Sequence, residues 1–269
     1  MKTMPLSKSW MPRSVGWCAL VVVSLVIGCF GFSPEAQSVV PAPDGGYPGG
    51  NTAEGQNALL SVTTGEFNTA VGFFSLRSNT DKSFNTAVGA GALVANTAEG
   101  NTATGAAALL SNTAGFANTA NGEFALFSNT TGSFNTANGG DALGSNTGGS
   151  FNTADGFDAL TSNTGPDTGG SFNTGLGFQA LYNATGSHNT AIGDEAGPNA
   201  YGSNNIYIGA QVFGDVEDNT IHIGDSSEPG FAMQACFVGG IANSTVSGTA
   251  VYVDSNGQLG TQTSSKRFK

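Results

Sequence analysis

A unit of about seventeen residues recurs along most of this 269-residue chain, and a fixed period constrains a fold more than any local propensity. Phe67 onward reads FNTAVGFFSLRSNTDKS and Phe84 onward FNTAVGAGALVANTAEG. Phe134 onward reads FNTANGGDALGSNTGGS and Phe151 onward FNTADGFDALTSNTGPD. Two columns carry the register. One is the asparagine of NTA or NTG: Asn68, Asn85, Asn101, Asn118, Asn135, Asn152, Asn173 and Asn189, with gaps of 17, 16, 17, 17, 17, 21 and 16. The other is Leu59, Leu76, Leu93, Leu109, Leu126, Leu143, Leu160 and Leu181, with gaps of 17, 17, 16, 17, 17, 17 and 21. Because the columns slip together, the repeat is lengthened or trimmed as a unit. The long gap contains GPDTGG (Gly165 to Gly170), read as a bulged-out loop. The short gap lies between Asn96 and Asn101, where the phenylalanine before NTA is missing.

Such a unit is too short for a helical-hairpin repeat, which takes about 34 residues. Its glycines also oppose helix. Two short extended pieces fit instead, near NTAVG and near FSL, each ended by Gly or Asn-Thr turn chemistry. One coil cannot bury its own apolar side. Stacking coils at about 4.8 Å pairs backbone edges and aligns like residues in ladders. The expected fold is therefore an all-β solenoid of roughly ten coils of about 17 residues. In it, asparagines in register bond side chain to side chain up their column, and Leu and Phe columns fill the interior.

Composition narrows the function. Charged residues are only 10% of the chain and glycines number 41, against about 25% charged and about 7% Gly in ordinary domains. Between residues 39 and 265 only Arg77 and Lys82 are basic, against 18 acidic residues. That body repels phosphate backbones, so no nucleic-acid partner is expected. Cys18 and Cys29 lie near the N-terminus and Cys236 stands alone, so neither an intrachain disulfide framework nor a zinc site is expected.

Residues 1–38 have the pattern of an export leader. Lys2, Lys8 and Arg13 precede an uncharged apolar run, and Ala36-Gln37-Ser38 offers small residues for cleavage after Ser38. Val26-Ile27-Gly28-Cys29 is similar to a bacterial lipobox, with Cys29 as the lipidated residue, and a retained anchor is the third option. All three place the body outside the cytoplasm and limit membrane contact to a leader or lipid anchor. A Pro/Gly linker covers 39–50 and the repeats 51–203. NNIYIG and NTIHIG make final coils within 204–230, with Ile206, Ile208, Ile221 and Ile223 on the half-buried face of alternating strands. The x position of NTAxG (Val71, Val88, Leu176, Ile192) faces the same way. Asn121, Asn138 and Asp155 break it, marking either a wetter seam or a polar ladder. A strand-like segment spans 231–263, where Ser255-Asn256-Gly257 is a hairpin signal.

Other candidates have plain structural readings. His188 and His222 occupy repeat positions. Asp215, Glu217 and Asp218 cluster without calcium-loop spacing. The sequons at Asn129, Asn183 and Asn243 follow from an Asn-Thr repeat. Phe73, Phe124, Phe157 and Phe178 are either packed or turned to a partner. No cofactor and no catalytic constellation are expected.

With NTAxG and AL recurring in register over residues 51–224, the chain resembles the YadA-like head repeat of trimeric autotransporter adhesins, and equally the repeat of chlorovirus surface glycoproteins. The resemblance implies a left-handed parallel β-roll, a homotrimer and surface adhesion to a protein or glycan ligand. A heptad stalk and membrane-anchor strands, both expected of that family, are not seen. The end of the chain, SNGQLGTQTSSKRFK, is similar to the lead-in to the intramolecular chaperone autoprotease of tail spikes and endosialidases. That resemblance puts a Ser/Lys dyad on Ser264 and Lys269, vestigial here, with residues 264–269 as the start of such a domain. The readings that follow are an exported, non-enzymatic adhesin-like or surface-fibre head; a tail-fibre-type module without its chaperone; and, more remotely, an ice-binding solenoid. Ice binding wants two outward Thr per coil, and the Thr69-type and Thr80-type columns are flanked by turn residues.

Overall fold

A computed structural model describes residues 47–164, 170–214, 216–224, 251–253 and 259–261. The chain divides into two compact units, residues 1–231 and 232–269. The first holds one parallel sheet of eleven three-residue strands in sequence order. They are β1 (Thr52–Glu54), β2 (Thr69–Val71), β3 (Thr86–Val88), β4 (Thr102–Thr104), β5 (Thr119–Asn121), β6 (Thr136–Asn138), β7 (Thr153–Asp155), β8 (Thr174–Leu176), β9 (Thr190–Ile192), β10 (Ile206–Ile208) and β11 (Ile221–Ile223). This is a β-solenoid. Each strand pairs with the same position of the next coil, as in Thr69 with Thr86 and Ala70 with Ala87. The register survives the 16-residue coil, Thr86 with Thr102, and the 21-residue coil, Thr153 with Thr174. Residues 165–169 of the long gap lie outside the described residues.

The strands are short because the chain turns on both sides of them. Phe67, just before Asn68, has φ 56, and Gly72, just after Val71, has φ 129. Gly72 must be glycine twice over. Its φ suits no side chain, and a Cβ there would stand 2.6 Å from the Gly89 carbonyl oxygen of the next coil.

The second expected extended piece is not a strand. Phe74 and Leu76 sit in the left-handed region, at φ 61 and 49, and the same holds along both columns. A left-handed L-residue costs roughly 1–2 kcal/mol, so the neighbouring coils must hold it there. They do: Leu76 N–H donates to the Ala92 carbonyl (3.0 Å) and Ser78 N–H to that of Val94 (3.1 Å). The coil-to-coil bonding of a sheet persists where the strand conformation does not.

The interior is narrower than expected. Ala70, Ala87, Ala103 and their column are fully buried, as is the leucine column from Leu76 to Leu181. Burying each leucine stabilises the fold by about 2 kcal/mol. The phenylalanines are not part of this filling. Phe67, Phe84, Phe134, Phe151 and Phe172 are 46–63% exposed. The ring lies outside, and there it stacks on the next coil. Centroids lie 4.9 Å apart for Phe134–Phe151 and Phe151–Phe172, and His188 continues the stack on Phe172 at 4.9 Å.

Two asparagine ladders run through the interior, both fully or almost fully buried. In the NTA column the main bonds go to backbone rather than from side chain to side chain. Asn118 Oδ1 accepts the N–H of Asn135 (2.9 Å), and Asn118 Nδ2 donates to the Gly132 carbonyl (2.9 Å). The Oδ1-to-backbone bond repeats from Asn51 to Asn205. The side-chain ladder belongs chiefly to the asparagine of SNT, which the sequence reading treated only as turn chemistry. Asn112 donates to Asn96, Asn129 to Asn112, Asn146 to Asn129 and Asn163 to Asn146, at 2.8–2.9 Å. Both columns converge on one carbonyl per coil: Gly115 O accepts from Asn101 (2.9 Å) and Asn112 (2.7 Å). The asparagine amides of both columns thereby find partners, as interior polar groups require, whereas the buried Gln211 Oε1 finds none.

In the second unit Val251–Val253 (β12) pairs antiparallel with Leu259–Thr261 (β13). These strands flank Ser255-Asn256-Gly257, which itself lies outside the described residues.

Candidate functional site: the outward face of the sheet

Alternation within each strand decides which residues face out. The middle residue points inward: it is alanine or glycine in β1 to β9 and Tyr207 in β10, all buried in the strand patterns, with half-buried His222 in β11. The first and third residues point out. This corrects the expectation for the final coils, because Ile208, Ile221 and Ile223 are 37%, 65% and 50% exposed in the single chain. The inward place there belongs to Tyr207 and His222, whose rings stack at 5.6 Å. His222 Nε2 also meets Glu217 Oε1 at 2.7 Å. The same outward row holds Val71, Val88, Leu176 and Ile192, each 37–45% exposed.

The outward face carries almost no charge. Two positions in each of eleven strands face out, and among them only Glu54 and Asp155 are charged. The first position is threonine in β1 to β9, and no bond within the chain engages those hydroxyls among the described residues. The Thr80-type hydroxyls behave otherwise: Thr113 and Thr130 donate theirs to the next coil's carbonyl, at 3.1 and 2.9 Å. One threonine row, not two, therefore stands free, and it lies on a strand. The third position divides into blocks, with Val71 and Val88 first, then Thr104, Asn121, Asn138 and Asp155, then Leu176, Ile192, Ile208 and Ile223. In the middle block Asn121 Nδ2 donates to Asn138 Oδ1 (2.9 Å). Of the two readings weighed for these residues, the polar ladder is present.

Elsewhere on the surface, Phe73, Phe124, Phe157 and Phe178 are 41–55% exposed, and Phe157 stacks on Phe178 at 6.1 Å. Asp141 and Asp158 occupy the same column on successive coils. Partial burial, then the charges of Asp158 and Glu123, hold the Asp141 carboxyl above the ordinary range. The Lys82 ammonium, 3.2 Å away, and the Thr80 hydroxyl hold Asp81 below it. Among the described residues no three His, Cys, Asp or Glu side chains gather as a metal site requires, and no helix is long and apolar enough to cross a membrane. Asn129 of the first sequon is fully buried in its ladder, whereas Asn183 is half-buried and donates to Asn199 (2.9 Å). Cys29, Ser38, Asp215, Cys236, Asn243, Ser264 and Lys269 lie outside the described residues. Scanned against protein-family models, curated proteins and solved structures, the chain matches none.

Proposed function

We propose that this chain is an exported, non-enzymatic surface-fibre or adhesin-like head that associates as a homotrimer and acts by multivalent contact with another surface. The observation that carries the reading is the outward face of the sheet. Its side chains are mostly apolar or hydroxylated and nearly charge-free, on a chain with net charge -11. Depletion of charge is the mark of an interface core. An acidic chain can approach a second copy of itself most cheaply through the face that carries the fewest carboxylates. Trimerisation and adhesion are what the head-repeat resemblance implies, and repeat rods supply extended multivalent surfaces. Light scattering on the exported chain should give three times the monomer mass, with cell adherence lost on deletion. A monodisperse monomer and unchanged adherence would end this reading. The second reading, a tail-fibre-type structural module, is favoured by Ser264, Ser265, Arg267, Phe268 and Lys269. A chaperone reading frame directly after Lys269 in the gene would support it.

A further inference from the structure

A solenoid face with one threonine row and one repeat spacing has a difficulty as an interface between copies. Coils are interchangeable, so two copies sliding by one coil along their axes keep nearly all their contacts. Strand pairings whose sequence does not mark position are prone to such slippage. Along β1 to β9 only the variable third position can distinguish one coil from the next. There the chain places a polar block, Thr104, Asn121, Asn138 and Asp155, between the apolar blocks Val71–Val88 and Leu176–Ile223. We propose that this block fixes the axial register in which copies of the chain associate through the outward face of the sheet, the occupant of that face being a second copy of this chain. The inference rests on the self-association proposed above.

The physical argument concerns what a one-coil slip would do. In register, Asn121 and Asn138 meet their own counterparts, and amide can bond to amide across the interface as it already does along the chain. Slipped by one coil in either direction, Asp155 of one copy faces Leu176 of the other, and Val88 of the first faces Thr104 of the second. A polar side chain that faces an apolar one loses the hydrogen-bond partner that the asparagine amides keep in register. A polar residue set singly into an apolar seam is the established way of selecting one register, with some loss of stability. The Asn121–Asn138 bond and the coincidence of polar residues in successive coils belong together under this reading.

The test uses the full chain with Cys18→Ser, Cys29→Ser and Cys236→Ser and pairs of single-cysteine reporters one coil apart, Thr102→Cys and Thr119→Cys, mixed under mild oxidation so that only directly apposed thiols join as disulfides. In the parent background only same-coil products should form. In the triple variant Asn121→Val, Asn138→Val, Asp155→Val, the mixed 102–119 product should rise to an abundance comparable with the same-coil products. Size by light scattering is measured alongside. Association without any gain of mixed product in the triple variant overturns the register role alone. A monomer in the parent background overturns the self-association on which it rests. Circular dichroism of the triple variant separates either result from misfolding, and the milder Asn121→Val single variant, which should give a partial rise, serves if the triple does not fold.

Discussion

The coils up to Asn163 and those after Leu181 solve the same packing problem with different side chains. In the earlier coils a leucine column and an alanine column fill the interior, with the SNT asparagines beside them. In the later coils Ala184 and Ala200 take the place of those asparagines, and an outward pair, Asn183 and Asn199, bonds instead (2.9 Å). Gly197 takes the place of leucine, and Tyr207 takes that of alanine one coil on. The two exchanges are coupled: a Cβ on Gly197 would lie 2.5 Å from Tyr207 Cδ2. The ring of one coil occupies the room that the missing leucine of its neighbour vacates. What a column must conserve is summed volume and satisfied polar groups, not residue identity.

The comparison is most strongly tested by breaking that exchange. Tyr207→Ala should cost about 4 kcal/mol, the usual penalty for emptying a large aromatic site. Gly197→Leu alone should also destabilise, by overpacking. The double variant restores the earlier coils' arrangement and should lose less than the two single losses summed in urea denaturation, by a favourable coupling of roughly 2 kcal/mol. Additive losses would show that the later coils do not share the interior plan of the earlier ones.

A smaller effect compares one glycine column at two places. A Cβ at Gly122 would fall on the carbonyl of Gly139, whereas at Gly209 its nearest neighbour is the Val212 side chain at 3.1 Å. Both have left-handed φ, 136 and 128. Gly122→Ala should therefore cost about 3 kcal/mol and Gly209→Ala visibly less, because a side chain yields where backbone does not. Equal losses in thermal melts would contradict this.

Next comes the asparagine ladder. Asn118→Ala strands the Asn135 N–H without a partner and leaves the Gly132 carbonyl to Asn129 alone. It should cost about 2 kcal/mol. Hydrogen exchange at the Asn135 amide should rise with it, and unchanged protection would mean that another group replaces the bond.

The smallest effect is electrostatic. Asp141 holds its proton more tightly folded than unfolded, since burial and its acidic neighbours raise its pKa above 3.8. That proton favours the folded state at low pH, and the advantage is lost as pH rises through the raised value. Asp141→Asn should thus stabilise the chain by about 0.5 kcal/mol at neutral pH, as relief of like charge on neighbouring strands does. The gain should vanish below about pH 4, near the ordinary Asp value. A gain that persists there would assign it to the left-handed backbone, which asparagine tolerates.

Much of this architecture was legible in the period. The coil length, the parallel stacking, and the Asn and Leu columns follow from spacing alone, because a repeat aligned with itself puts like on like. Inside and outside were harder to read. Within a strand, alternation separates the two faces, yet it does not say which one points inward: it puts Ile206 and Ile208 on one half-buried face, and the fully buried residue is Tyr207. At the corners alternation gives nothing, and the sign of φ does not settle the direction either, since Phe67 and Leu76 are both left-handed and one is exposed while the other is buried. The SNT asparagines were passed over for a related reason. A residue that usually makes a turn here also makes a ladder, and only the stacking of turns on turns shows it.

The 21-residue coil has a practical meaning. Between Asn163 and Gly170 the chain takes four more residues than its neighbours, and yet Asn163 and Asn152 both still find the Gly170 carbonyl (2.7 and 2.9 Å) and Thr153 still meets Thr174. That corner behaves as a socket whose two rims, Asn163 and Gly170, are wired into the ladders. A foreign peptide grafted there would be carried on the scaffold without being read by it, and a lineage could rewrite that corner freely while the rest of the coil stayed as it is.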